Sequence, residues 1–221
     1  MRWIRQGLRR RHEDDGFSLP EMLIAMTIFA AFLAVITATV STMFQDIRHT
    51  TTVNYAAAQN ARAFNAFDQE IRPASGVNIP GLGTNGQDFY IEFLTTTLQG
   101  APVCRQWRLV VSTDQLQQRS WTPVTSGTPT VSAWTLVANG IVNTTDPFSL
   151  GTSAGTLADY VQSVPVNMQL TDTQGVKPSA TANSSTTVVA ENTDANTQSI
   201  VDSNHNGASD FPVCQIGVSR P

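Results

Sequence analysis

The sequence predicts an α+β fold in which a long N-terminal spine helix packs against a C-terminal antiparallel β-sheet domain. Two observations lead to this expectation. No proline occurs between Pro20 and Pro73, and apolar or alanine-rich sequence fills much of that interval, which favours one helix over about residues 18–72. Beyond Pro73, short runs of alternating apolar and polar residues are bounded by Gly, Pro, Asn and Asp, the pattern of antiparallel strands.

The first half of the predicted helix, residues 17–45, is apolar on every side. It is longer than the roughly 20 residues that span a bilayer core as a helix. Five arginines precede it within residues 1–11, and positive charge is retained on the cytoplasmic side of a membrane. We therefore expect a single-pass protein of the inner, or cytoplasmic, membrane, with its N-terminus inside and its C-terminal domain outside.

Two other interpretations of this segment are open. An ordinary secretory signal also has a basic start and an apolar run. It fits poorly, because the run is long and three acids, Glu13, Asp14 and Asp15, separate it from the arginines. A plain single-pass anchor that is never cleaved is the second alternative.

The second half of the helix, residues 46–72, becomes amphipathic. Apolar side chains recur at three- and four-residue spacing, and this stripe predicts packing against the domain's own sheet. An early part of the stripe is formed by Phe44 and Ile47, and the later part by Ala57, Ala61, Phe64, Phe67 and Ile71.

One carboxylate, Glu21, lies near the start of the apolar segment. Within a spanning helix such a group costs about 2.5–3.5 kcal/mol at the bilayer centre, and residues of this kind usually mark function. Glu21 lies in the first turn of the predicted helix, where the helix dipole favours negative charge and Pro20 is tolerated. A glutamate that reaches back to the lipid head groups is the alternative.

The run GFSLPE at residues 16–21 resembles the class III leader junction of the type IV prepilin family, which includes type II secretion pseudopilins. The resemblance implies cleavage between Gly16 and Phe17 by a membrane prepilin peptidase, N-methylation of Phe17 and assembly into a helical filament. It also implies that Glu21 pairs with the Phe17 amine of a neighbouring subunit. Cleavage creates that cation, one helical turn before Glu21 in the same chain.

These features divide the chain into a cleaved leader (1–16), a membrane or filament-core half of the helix (17–45), an amphipathic half (46–72) and a globular antiparallel β domain (73–221). Residues 172–200, rich in Ser, Thr, Asn and Ala, predict long surface loops. Six runs are candidate strands: Phe89–Leu94, Gln106–Val111, Leu116–Trp121, Trp134–Val142, Val164–Thr171 and Thr186–Glu191. The second and third of them predict a hairpin, whose two tryptophans are candidate anchors of one small core.

Several later segments are similar to J-type minor pseudopilins and W-type minor pilins. They are the helix end ARAFNAFDQEIR, a Gln-Trp-Arg strand, a Leu-Gln-Gln-Arg-x-Trp strand and the segments Asn-Gly-Ile-Val-Asn, Pro-Phe and Val-Val-x-x-Asn, which begin at residues 61, 106, 116, 139, 147 and 188. This similarity implies a minor subunit of the filament.

Charge and cysteine content fit an exported domain. Of 13 basic and 17 acidic residues, five and three lie in residues 1–16, so 8 and 14 remain, a net charge of about −6. Such a surface does not favour a phosphate backbone, and no nucleic-acid partner is expected. Cys104 and Cys214 are expected to form a disulfide, with two separate buried thiols as the alternative.

Residues 202–210 match the start of a calcium-binding loop. Oxygen-bearing side chains occupy positions one, three, five and nine, a backbone carbonyl serves position seven, and Gly207 allows the sharp turn at position six. The candidate Ca²⁺ ligands are Asp202, Asn204, Asn206, Ala208 and Asp210. Val213 replaces the bidentate glutamate of position twelve, and an Asn-Gly hairpin turn explains this sequence without metal. No other cofactor is expected.

No catalytic residue is predicted, because none of the three histidines accompanies a recognisable nucleophile motif. The G-x-G-x-x-G run at residues 81–86 lacks the preceding strand and following helix that a dinucleotide site needs. It predicts a flexible connection from helix to sheet. The sequence therefore predicts a structural protein and not an enzyme.

The resemblance implies a structural subunit of a type IV pilus, a competence pilus or a type II secretion pseudopilus. The expected partners are the prepilin peptidase, other pilin or pseudopilin subunits, the membrane and an assembly platform protein. The final location is then a cell-surface or periplasmic filament. The alternative function is a membrane-tethered extracytoplasmic binding or adhesin domain that does not polymerise.

Overall fold

The computed structural model describes residues 18–151, 162–171, 181–194, 197–214 and 218–221. The chain divides into two compact units, one ending at Ile47 and the other spanning Arg48–Pro221. Gly16 and Phe17, the expected cleavage-site residues, lie outside the described residues.

The helix α1 spans Leu19–Ile71 and is 53 residues long. At its start the Ser18 carbonyl accepts the amide protons of Glu21 and Met22 at 3.0 and 3.1 Å. Side chains from residue 19 to residue 47 are exposed. With a mean hydropathy of 2.4 over its most apolar stretch, α1 is long and apolar enough to cross a membrane.

The second half of α1 buries one stripe of side chains in the domain, as the amphipathic pattern predicts. The buried members are Thr52, Ala56, Gln59, Ala63, Phe67 and Ile71. The expected stripe was correct at Phe67 and Ile71, and Phe64 is half-buried against the core. It was wrong at Phe44, Ile47, Ala57 and Ala61, which are exposed. Alanine occurs on several faces of this helix, so its spacing did not identify the buried face, which also carries Thr52 and Gln59.

The β domain contains one antiparallel sheet of six strands among the described residues, in the order β1-β3-β4-β5-β6 with β2 also paired to β3. A separate two-stranded antiparallel sheet joins β7 and β8. The strands are β1 Gly76–Val77, β2 Gly81–Leu82, β3 Phe89–Thr96, β4 Pro102–Val110, β5 Gln115–Trp121, β6 Thr135–Asn139, β7 Ser163–Thr171 and β8 Thr181–Val189. The predicted α+β fold, a long apolar helix packed on an antiparallel sheet domain, is confirmed.

The core lies between α1, one face of the main sheet and the inner face of β7. Phe67 is fully buried at its centre, with its ring centroid 4.9 Å from that of Trp107 and 5.6 Å from that of Phe148. From β7, alternate side chains Val164 and Val166 enter the same core. The end of the helix is therefore part of the hydrophobic core and not an appendage to it.

Trp107 and Trp121 lie on opposite faces of the main sheet, so the expectation that they share one core was wrong. Trp121 pairs directly with Cys104, and directly paired residues point to the same face. Trp107 is three positions after Cys104 on β4 and points to the other face, where it meets Phe67. Both tryptophans are buried, but on opposite faces of the sheet and therefore against different residues.

Further differences from the expected strands include two strand ends and one strand that was not expected. β8 begins at Thr181, inside the segment expected to form loops, because its Ser/Thr-rich sequence pairs residue by residue with β7. β6 ends at Asn139, three residues before the expected end, and Gly140 follows with a φ of 78°. Part of the expected connection at residues 81–86 is β2, which pairs with β3.

We predict that Phe67→Ala lowers the free energy of unfolding by about 3–5 kcal/mol, because it leaves a cavity at the junction of helix and sheet. The measurement is urea unfolding of the full chain in detergent, with tryptophan fluorescence as the signal that reports unfolding. Phe211→Ala is the matched control, since Phe211 is 59% exposed. Its expected cost is below about 1 kcal/mol. Equal costs for the two variants would contradict the assignment of Phe67 to the centre of the core.

Candidate functional site

Glu21 lies in the first turn of α1, and its side chain is exposed. A carboxylate in this turn is favoured by the unsatisfied amide groups and by the helix dipole. Around it the exposed side chains are large and apolar, with Leu19 77% exposed and Leu23 56% exposed. The described part of the junction is thus one acid within an apolar surface that needs lipid or another protein to cover it.

Four threonines on the same apolar segment satisfy their own hydroxyl groups. Thr27, Thr37, Thr39 and Thr42 each donate to a backbone carbonyl three or four residues earlier, at 2.8–2.9 Å. An unsatisfied hydroxyl is costly in an apolar environment, so these internal bonds suit the helix to such surroundings. Threonine within a predicted helix is the sequence signal for such bonds, because a backbone carbonyl lies three or four residues before it. This signal was not used in predicting the helix.

Cys104 and Cys214 form a disulfide, with an S–S distance of 2.10 Å and a Cα–Cα distance of 5.5 Å. The pairing expected from export is confirmed, and the two-thiol alternative is wrong. The bond joins β4 to the C-terminal segment across 110 positions of sequence. In the chain-entropy model, closing a loop of about this size removes roughly 4–5 kcal/mol of unfolded-state freedom.

A buried ion pair fixes the C-terminal segment to the same face of the sheet. Glu92 is 2% exposed, and its two carboxylate oxygens accept from Arg220 Nε at 2.8 Å and Nη2 at 2.6 Å. Gln106 donates to one of these oxygens at 2.8 Å, and Arg220 also donates to the Ile79 carbonyl. A buried charge is tolerated when it is paired and hydrogen-bonded, and both conditions hold here.

Further polar contacts hold the segment on either side of Arg220. The Tyr90 hydroxyl donates to a Pro221 oxygen at 2.6 Å, and the Asn78 side chain both donates to and accepts from the Val213 backbone. Gly83 allows this arrangement, because a Cβ there would lie 2.5 Å from the Tyr90 ring and 2.7 Å from Pro221. No local pattern in the sequence predicts this network, because its members are far apart in the chain.

Residues 202–210 form a loop that contains the five candidate calcium ligands. The side-chain oxygens of four of them, all except Ala208, accept backbone amide protons of the same loop. Asp202 accepts from Asn206 at 3.0 Å and from Gly207 at 2.8 Å, while Asp210 accepts from Ser203 at 2.7 Å. That bond lowers the pKa of the Asp210 carboxyl. Within the described residues no group of three or more His, Cys, Asp or Glu side chains is placed to hold a metal ion.

Asp146 is a half-buried carboxyl in the segment between β6 and β7. Burial raises its pKa to about 6, against the opposing effects of the Phe148 amide, which donates to it at 2.9 Å, and of the Arg220 charge. The residues next to Asp146 in the sequence do not predict this raised pKa, because it depends on how the folded domain buries the carboxyl.

The fold and the N-terminal geometry define a protein with an apolar anchor helix whose second half packs on an antiparallel sheet domain. Residues 11–37 match the family model described as the prokaryotic N-terminal methylation motif, the class III leader of type IV prepilins. Neither the search of curated proteins nor that of solved structures gave a match. The motif supports a type IV pilin-like precursor, which implies processing by a prepilin peptidase and assembly with other pilins.

The calcium loop stays a prediction. The expected outcome is that Ca²⁺ at about 5 mM, above the range typical of extracellular modules, raises the thermal unfolding midpoint of the full chain in detergent. Mg²⁺ at the same concentration should have less effect, because it requires smaller and more regular octahedral sites. The control variant is Asp202→Asn, which removes a charge but keeps an oxygen. A midpoint that Ca²⁺ leaves unchanged would exclude the site.

We predict that Asp146→Asn stabilises the domain at neutral pH. Because the folded pKa is raised, the unfolded chain ionises first as pH rises from 3.8 towards 6, so the native protein loses stability over that interval. Asparagine keeps the acceptor for the Phe148 amide and removes the titration. After allowance for partial exposure, the gain at pH 7.5 is about 1–2 kcal/mol, with little of it at pH below about 4.

The measurement for this prediction is urea unfolding of the variant and the wild-type chain at pH 7.5 and at a pH below about 4. Asp114→Asn is the control, because it removes the same charge from a turn residue whose left-handed backbone (φ 55°) also suits asparagine. A gain from Asp146→Asn that is equal at the two pH values would rule out the raised pKa as its cause.

Proposed function

We propose that this chain is a minor structural subunit of a type IV pilus, a competence pilus or a type II secretion pseudopilus. The observation that carries the proposal is the methylation motif at residues 11–37, which runs directly into a helix with an uncovered apolar first half. An alternative in which the apolar segment is a soluble core helix fails, because that segment is unburied in the chain.

The proposed processing step is hydrolysis of the peptide bond between Gly16 and Phe17 by the prepilin peptidase. Hydrolysis releases the basic leader and leaves a free amine on Phe17, which is then N-methylated. In the filament, Glu21 pairs with the Phe17 amine of a neighbouring subunit. Both charges lie in apolar surroundings, where a pair is favoured far more strongly than in water.

The proposed topology places the N-terminus in the cytoplasm and the sheet domain outside, in accordance with the arginines before the span. The disulfide agrees with this, because such bonds persist in oxidising compartments. The subunit then leaves the bilayer, with an assembly platform protein as partner, and joins a cell-surface or periplasmic filament.

The minor-subunit assignment rests on similarity to J-type pseudopilins and W-type pilins at the helix end and on the sheet. In the fold these segments contact one another: Trp107 Nε1 donates to Glu70 Oε2 at 2.7 Å, and Phe67 packs on the Trp107 ring. Two of the six similar segments therefore meet where the helix joins the sheet. This supports a helix–sheet contact similar to that of J-type pseudopilins and W-type pilins. The choice among the three filament systems is left to experiment.

We predict that Gly16→Val blocks processing when the chain is expressed with a prepilin peptidase. Valine adds a branched side chain at the scissile bond, so the variant should keep its leader and show an intact mass higher by residues 1–16. The wild-type chain should yield N-methyl-Phe17. Intact-mass measurement and N-terminal sequencing check both outcomes.

Gly7→Val is the matched control for this experiment, because it makes the same change within the leader, away from the junction. It should leave cleavage unchanged. Release of a Phe17 N-terminus from the Gly16→Val variant would contradict the proposed site. A wild-type chain that keeps its leader would favour the alternative, a tethered binding or adhesin domain that does not polymerise.

A further inference from the structure

Arg108, Arg119 and Trp134 form a cationic cluster on the face of the main sheet that points away from α1. The Cζ atoms of Arg108 and Arg119 lie 4.0 and 4.3 Å from the centroid of the Trp134 ring. Arg108 pairs with Gln117 across β4 and β5, and Arg119 pairs with Gln106. The two arginines are therefore diagonal neighbours on one face, and Trp134, just before β6, lies against both.

Neutral oxygens hold both guanidinium groups. Arg108 donates through Nε and Nη2 to the Gln117 amide oxygen at 3.0 and 2.8 Å. Arg119 donates to the Gln106 amide oxygen at 2.7 Å and to the Ser219 carbonyl at 3.0 Å. Within the described residues neither arginine forms a salt bridge, whereas the nearby Arg220 does. The cluster thus carries two adjacent positive charges without a carboxylate bound to them.

This arrangement leaves the cationic cluster ready to bind an anion. Burial and then the charge of Arg108 lower the pKa of Arg119, while Tyr90 and Glu92 oppose this fall. The Glu92 carboxylate is bound by Arg220, and Arg119 donates instead to the neutral oxygens of Gln106 and Ser219. Arg108 Nη1 has no hydrogen-bond acceptor among the described residues, and all three side chains are half-buried, so part of the cluster is accessible. Planar guanidinium groups fixed by stacking match the geometry of a carboxylate, and their orientation is already set.

We propose that the cationic cluster binds side-chain carboxylates of an acidic protein segment on a neighbouring filament subunit. Beyond residue 16 this chain has 14 acidic and 8 basic residues, so subunits of similar composition repel one another where they meet. A fixed pair of arginines supplies the opposite charge at such a contact. Carboxylate binding follows from the cluster itself, while the neighbouring subunit as its source rests on the proposed function.

The experiment uses the full chain in detergent and two fluorescently labelled octapeptides, one alternating Glu and Gly and the other alternating Gln and Gly. Fluorescence anisotropy measures binding. The Glu peptide should bind about tenfold more tightly than the Gln peptide. Its affinity should fall as NaCl rises from about 50 to about 300 mM, because salt screens exposed charges.

Arg108→Gln should weaken binding of the Glu peptide about tenfold, and Arg108→Lys should give an intermediate loss, since it keeps the charge but not the planar fork. Arg62→Gln is the matched control: it removes an equal charge from an exposed position on α1, away from the cluster. Circular dichroism of each variant confirms that the fold is kept.

Equal affinity for the two peptides, or equal losses from Arg108→Gln and Arg62→Gln, would overturn the proposal. Tighter binding of a polyuronate than of the Glu peptide, with the same dependence on Arg108, would overturn the protein partner and assign a saccharide instead. Cleavage at Gly16 is measured by intact mass on a parallel sample of each variant expressed with a prepilin peptidase. Normal cleavage at Gly16 without peptide binding therefore removes the cluster site and leaves the proposed function standing.

Discussion

The contact of Phe67 with Trp107 is the interaction on which the domain depends, because it makes the end of α1 part of the core. A polar contact reinforces it one turn later. Trp107 donates its indole proton to Glu70, and Arg105 lies 3.6 Å from the same carboxylate. Burial raises the pKa of Glu70, while the indole bond and the Arg105 charge oppose that rise. Helix and sheet are thereby held by apolar area and by a specific hydrogen bond.

Among the described residues no helix packs on the opposite face of the sheet, and the C-terminal segment covers part of it. The disulfide at Cys214 fixes one point of that segment, and the Glu92–Arg220 pair fixes another. A buried ion pair adds little net stability compared with apolar packing, but removal of either partner leaves a costly unpaired charge. We infer that the pair fixes the position of the segment, while the disulfide supplies most of the constraint on the unfolded chain.

Local patterns predicted the fold well and the long-range contacts poorly. The interval without proline predicted α1 to within a residue or two, and alternation located β3 and β5. The buried face of α1 was harder, because alanine does not distinguish one face from another. Glu92 and Arg220 lie 128 positions apart and share no motif, so only the fold brings them together. The N-terminal methylation motif was recognised from the sequence because its residues are contiguous.

The hydrogen bonding of the first half of α1 bears on how a subunit moves between two environments. Thr27, Thr37, Thr39 and Thr42 satisfy their hydroxyls within the helix. Transfer from lipid to neighbouring helices therefore requires no new bonds from them. In the proposed filament, Glu21 is the charged side chain of residues 19–45 and needs an external partner. We propose that this pair sets the axial register between adjacent subunits, because a buried charge separated from its partner is costly.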